Sequence, residues 1–81
     1  MHKKNYNYIF SKNLNYILLK TGKKQIDLSR DLKIPKATIS SWCCGTRLPK
    51  IDKLSHIATY LDIDNPIILL DENFKTLLKN K

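Results

Sequence analysis

The stretch Gln25 to Gly45, Q-I-D-L-S-R-D-L-K-I-P-K-A-T-I-S-S-W-C-C-G, decides how this chain folds. Leu28 and Leu32 lie four residues apart, on one face of a helix; further on, Ile39, Trp42 and Cys43 fall at i, i+3 and i+4 of another. Between them Lys33-Ile34-Pro35 forces a break, because proline has no backbone donor and pushes the preceding residue out of the helical region. Neither segment is long enough to be helical in isolation, so each must bury its apolar stripe against the rest of the chain. Two short amphipathic helices around a tight turn make the helix-turn-helix pattern, whose second helix enters the major groove of duplex DNA.

The flanking sequence supplies supports for that pair. Phe10, Leu14, Ile17 and Leu18 repeat at helical spacing up to Thr21, and Gly22 follows as a stop. Lys23 and Lys24 precede the second helix with no Ser, Thr, Asp or Asn to cap it, although Asp27 in its first turn suits the helix dipole. After the loop Thr46 to Lys50, the residues Ile51, Leu54, Ile57, Ala58 and Leu61 form an apolar stripe over three turns. Asn65 then stands as an N-cap and Pro66 at the favoured first position of a fifth helix, which places Ile67, Leu70, Phe74, Leu77 and Leu78 on nearly one face. The expected architecture is all-α, a compact bundle of about five short helices. Residues 1–9 read as a flexible basic arm, 10–70 as the domain, and 71–81 as a helical tail.

Charge divides the chain. Twelve of the fifteen Lys and Arg but three of the seven acids fall in residues 1–53, leaving that part at +9 and the remainder at −1. A basic half points to a polyanion-facing side, and a near-neutral, apolar tail to another task. The two cysteines are adjacent, so on a helix their side chains diverge by about 100° and oppose an intramolecular disulfide. No metal-ligand spacing, triad partner for His2 or His56, or glycine-rich phosphate loop exists, so neither an enzyme nor a cofactor is expected. With no signal peptide and no apolar run near 18 residues, the expected location is cytoplasmic, with no membrane contact.

Leu14, Gly22, Gln25, Leu28, Leu32, Ile34, Thr38-Ile39-Ser40, Trp42, Gly45, Pro49, Leu54, Ala58, Leu61 and Ile63 together resemble the phage repressor and Cro (XRE-type) helix-turn-helix family over nearly all of residues 10–70. The resemblance implies a lambda-repressor-like domain that docks its third helix in the major groove, generally as a homodimer on an operator of two-fold symmetry. Four departures are specific to this chain: where the family usually has Ala in the second helix, it has Ser29, a small residue that still fits. The turn's usual Gly is Lys33, which must adopt a left-handed backbone at roughly 1 kcal/mol. The usual Ser cap is Pro35. An Arg and a Glu that pair in many members are Leu18 and Cys43 here; a joint replacement leaves no unpaired charge and predicts that both lie in the core.

By position, the resemblance assigns Lys36, Ala37, Thr38 and Ser41 to the groove, and helical geometry adds Ser40 and Cys44 to the same side. Gln25 matches a phosphate-holding position at the start of the second helix, and Lys24, Thr46, Arg47 and Lys50 flank that face. The implied function is a transcriptional regulator, a repressor of phage or mobile-element type acting by operator occupancy. The alternative is an antitoxin whose tail binds a toxin protein. Ile67, Leu70, Phe74, Leu77 and Leu78 would then be a partner surface in place of a dimer interface.

Overall fold

Among the described residues, left-handed backbone punctuates the chain at Gly22 (φ 74°), Lys33 (φ 56°), Gly45 (φ 80°) and Asp62 (φ 62°). A computed structural model of the chain describes residues 5–79. The first three of these positions close α1 (Tyr6–Thr21), α2 (Gln25–Leu32) and α3 (Lys36–Cys44), while Asp62 lies just beyond α4 (Ile51–Tyr60). A 3₁₀ segment (Pro66–Leu70) and α5 (Phe74–Lys79) complete the order. Lys33 adopts the conformation expected of the turn, and Ser29 ties that turn together. The Ser29 hydroxyl donates to the Ile34 carbonyl (2.6 Å), while the Ile34 amide donates to the Ser29 carbonyl (3.2 Å). These local bonds offset the cost of a side chain in the left-handed region.

Phe10, Leu14, Leu28, Ile39, Ile57, Leu69 and Phe74 are fully enclosed and come from every element of the fold. α1 runs through their centre, packing on α3 on one side and on the 3₁₀ segment on the other. Edge-to-face rings mark both contacts, Phe10 with Trp42 (6.4 Å between centroids) and Tyr16 with Phe74 (6.3 Å). Polar pins from α1 reinforce them. The Ser11 hydroxyl and the Asn15 amide both donate to the Cys43 carbonyl near the end of α3, at 2.5 and 3.1 Å. Asn13, itself buried, donates to the carbonyls of Leu69 (2.8 Å) and Asp71 (2.9 Å), so its burial leaves no amide proton without a partner. Leu18 and Cys43 lie in the same buried cluster, in keeping with their joint departure from an ion pair. Burial, with the neighbouring Cys44 a lesser cause, pushes the Cys43 thiol up to about 11.

The structure corrects the reading of the two ends. Helix α1 begins at Tyr6, where an arm was expected, because the Asn5 side chain caps it by accepting the Tyr8 amide (3.1 Å). Lys12 also sits over the Tyr8 ring, 5.4 Å from its centroid. The rest of the expected arm, residues 1–4, lies outside the described residues. At the other end the single fifth helix is replaced by two pieces. Asn65 does cap Pro66–Leu70, accepting the Ile67 amide (3.1 Å), but the chain turns extended at Asp71. There the Asp71 carboxylate accepts the Asn73 amide (2.8 Å) and Asn13 holds the adjacent carbonyls. The one-face arrangement of the tail is thereby lost. Phe74 enters the core, Leu70 and Leu78 pack against it, Leu77 is half-buried, and Ile67 is exposed. Residues 71–78 are thus joined to the domain's core by Phe74. Ile51, assigned to the stripe of α4, is 62% exposed at the helix's first position.

Phe74→Ala should lower stability by about 3–5 kcal/mol, the usual effect of truncating a buried aromatic. Denaturant unfolding monitored by circular dichroism checks this; an unchanged midpoint would put Phe74 on a surface.

Candidate nucleic-acid interface

Burial of Ile39, Trp42 and Cys43 determines what α3 presents to solvent. Lys36, Ala37, Ser40 and Cys44 are exposed on the opposite side, with Thr38 and Ser41 half-buried at its edges. Apart from Lys36, these are short side chains, so the helix backbone can approach a groove floor closely. The Ser41 hydroxyl is already engaged, donating to the Ala37 carbonyl one turn back (2.9 Å). Its lone pairs remain open, so in this rotamer Ser41 is an acceptor. Thr46 has a structural task as well, since its hydroxyl donates to the Ser41 carbonyl (3.1 Å) and closes the end of α3.

Two helix N-termini accompany this strip. α2 starts at Gln25, which is exposed beside exposed Lys24. No side chain caps α2 at Lys24, as expected, and the Asp27 carboxylate accepts the Lys24 amide (2.8 Å). That bond, ahead of the weaker influence of Arg30, lowers the Asp27 pKa. The amides of Gln25 and Ile26 precede the first intrahelical bonds, as do those of Lys36 and Ala37 in α3, and both pairs are donors available to an anion. Arg47 and Lys50 are exposed on the connection to α4.

The structure adds residues that motif spacing did not single out. Lys33, in the α2–α3 turn, and Lys53, in the first turn of α4, share with Arg47 and Lys50 a cleft of about 270 Å³. The available signal was Lys33 itself, a charged residue where the turn favours glycine. Elsewhere on α2, Arg30 bridges Asp27 and Asp31 (3.1 and 3.0 Å). Asp31 also accepts the Tyr60 hydroxyl of α4, and Lys23 lies over the Tyr60 ring, 4.8 Å from its centroid. This network links α2 to α4 and helps to hold the two N-termini in place. The expected partner-surface residues contribute nothing here: Ile67, Leu70, Phe74, Leu77 and Leu78 lie in the 3₁₀ segment and α5. Among the described residues no cluster of His, Cys, Asp or Glu could hold a metal, and no helix is long and apolar enough to cross a membrane.

A family model described as the Cro/C1-type HTH DNA-binding domain matches residues 13–66, which take in all of α2, α3 and α4. No curated protein and no solved structure matches the chain.

The α2–α4 link has a titration signature. The Asp31 hydrogen bond holds the Tyr60 phenol above its ordinary pKa, and bonds from Arg30 first and Tyr60 second hold Asp31 below its own. A raised phenol stabilises the fold fully below pH 10 and ceases to do so as pH rises through the folded value; the lowered carboxylate stabilises above about pH 4 and ceases to do so as pH falls. In an absorbance titration of the four tyrosines, one phenol should ionise late, and either Tyr60→Phe or Asp31→Asn should abolish that late step. A late step that persists in both variants belongs to another residue.

Proposed function

The chain belongs to the Cro/C1-type helix-turn-helix family of DNA-binding domains, and from that premise we propose that it is a transcriptional repressor of phage or mobile-element type. It works in the cytoplasm, binding an operator in duplex DNA as a homodimer and blocking polymerase by occupancy, with no chemistry of its own. The observation that carries this reading is the two-sided character of α3, whose apolar side is locked in the core while a strip of small polar residues faces out. Family membership supports the DNA-binding role, and the sequence resemblance to phage repressors supports repression and an inverted-repeat operator.

Within the major groove the roles divide by chemistry. Lys36 donates to guanine O6 and N7, Ala37 meets a thymine methyl, and Ser41 accepts from cytosine N4 or adenine N6 because its own proton is held by Ala37. Thr38 and Ser40 border that contact, and Cys44 offers a small side chain at its far end. Gln25, Lys24, Arg47 and Lys50 hold phosphates and set register, assisted by the open amides of α2. With so few long side chains over the bases, part of the discrimination falls to DNA shape. Dimerisation draws on what remains exposed near the tail, Ile67 with half-buried Leu77; the burial of Phe74 weakens the tail as a toxin-binding surface.

Selection from a random duplex library should enrich an inverted repeat with half-sites about one helical turn apart. Lys36→Ala should then relax preference at one base pair per half-site, by about 1–3 kcal/mol. Sequence-blind enrichment, or a Lys36→Ala variant with wild-type preference, would overturn the assignment.

A further inference from the structure

We infer that the groove between the outer side of α1 and residues 72–76 is a docking site for an acidic amphipathic helix of another protein, gripped by Lys12 and Lys75 and anchored on Tyr8 and Leu19. The site lies apart from the duplex-binding elements and adds a partner that operator binding does not call on.

The groove measures about 680 Å³ and is lined by α1, its cap Asn5 and residues 72–76; no residue of α2, α3 or α4 enters its lining. Along α1 the residues Tyr8, Lys12, Tyr16 and Leu19 follow at steps of four, four and three, which sets them in one stripe. Leu19 is 83% exposed and Tyr8 58%, so with half-buried Ile9 and Tyr16 they leave an apolar floor open to solvent. The facing wall is already built. Phe74 is fully buried and meets Tyr16 edge to face, while Asn13 ties the carbonyls of Leu69 and Asp71 to α1. A partner therefore meets a preformed surface and need not order it. From Asn5 to Leu19 the groove follows α1 for about 21 Å, the length of a helix of about four turns. An apolar floor of that length suits a helix laid along it.

Charge decides the occupant. Lys12 Nζ lies 5.4 Å from the centroid of the Tyr8 ring and Lys75 Nζ 4.8 Å from that of Tyr16, so both cations are held at the groove by its own aromatic rings. Against them the lining carries one acid, Glu72, and exposed Lys20 follows Leu19 at the groove's end. Symmetry disfavours a second copy of the chain. Lys12 stands midway between Asn5 and Leu19, so two stripes related by a two-fold axis would set Lys12 against Lys12 at the centre of the contact. A helix with Asp or Glu at its centre and aliphatic side chains toward its ends opposes unlike charges in the same groove and covers its apolar floor.

Selection from a library of random peptides about 16 residues long, on the immobilised full-length chain, tests the site. The expected winners carry Leu, Ile or Phe at spacings of three and four, with Asp or Glu between them. A synthetic winner, followed by fluorescence anisotropy, should bind Lys12→Ala and Leu19→Ala at least about fivefold more weakly than the wild type. Both side chains are exposed, so both variants should melt close to the wild type and bind the selected duplex equally well. Ile51→Ala, which trims an exposed apolar residue outside the groove, should keep full affinity for the peptide, and saturating duplex should not displace it. No enrichment, or enrichment of basic or patternless peptides, overturns the site, as does wild-type peptide affinity in either Lys12→Ala or Leu19→Ala. An equal loss in Ile51→Ala makes the contact non-specific and overturns it too. Displacement by duplex moves the peptide to the α3 surface, which overturns the groove and leaves operator binding intact. A dimer in sedimentation that Leu19→Ala dissolves overturns the proposal in favour of a second copy.

Discussion

Burial of one side of α3 against α1 is the constraint on which the rest of this structure depends. Trp42 meets Phe10 edge to face, Ile39 is fully enclosed, and two side chains of α1 converge on the Cys43 carbonyl near the end of the same helix. A nine-residue helix has little stability of its own, so these contacts both form it and fix its rotation about its axis. Rotation is what matters for function. A turn of about 100° carries each side chain to the place of its neighbour and would bring Trp42 toward the solvent face.

The remaining elements serve that arrangement from behind. α4 and the 3₁₀ segment close the core beneath α1, and Asn13 and Phe74 fasten the end of the chain to it. The Asp31–Tyr60 hydrogen bond joins α2 to α4 across the surface. Carboxylates on α2 are held in bonds to Arg30, Tyr60 and the Lys24 amide, whereas the cations of the turn, the α3–α4 connection and the start of α4 line an open cleft. Lys33, Arg47, Lys50 and Lys53 therefore gather around one cleft with no acidic side chain in its lining, an arrangement that attracts a polyanion.

Most of this was legible in the sequence where burial and backbone geometry act locally. The stripe Ile39, Trp42 and Cys43, the stop at Gly22, the left-handed Lys33 and the Asn65 cap are all present as predicted. The ends were misjudged for a different reason. Tyr6 to Ile9 carry no apolar period, and their helix depends on one capping bond from Asn5 and on joining a helix anchored further along. In the tail, helical spacing from Ile67 to Leu78 was a sound pattern overruled by tertiary contacts, since Asn13, 58 residues earlier, takes the Asp71 carbonyl. The cleft was hidden likewise: Lys33 and Lys53 are twenty positions apart and become neighbours only when α4 packs beneath the turn.

The most direct test of the account is a map of amide chemical shifts as the protein is titrated with its selected duplex. The predicted result is that the largest changes fall at Gln25, along Lys36 to Ser41 and from Thr46 to Lys53, with α5 and the middle of α1 little affected. Changes centred on Ile67 to Leu78, with α3 unmoved, would contradict it and make the tail the principal binding surface.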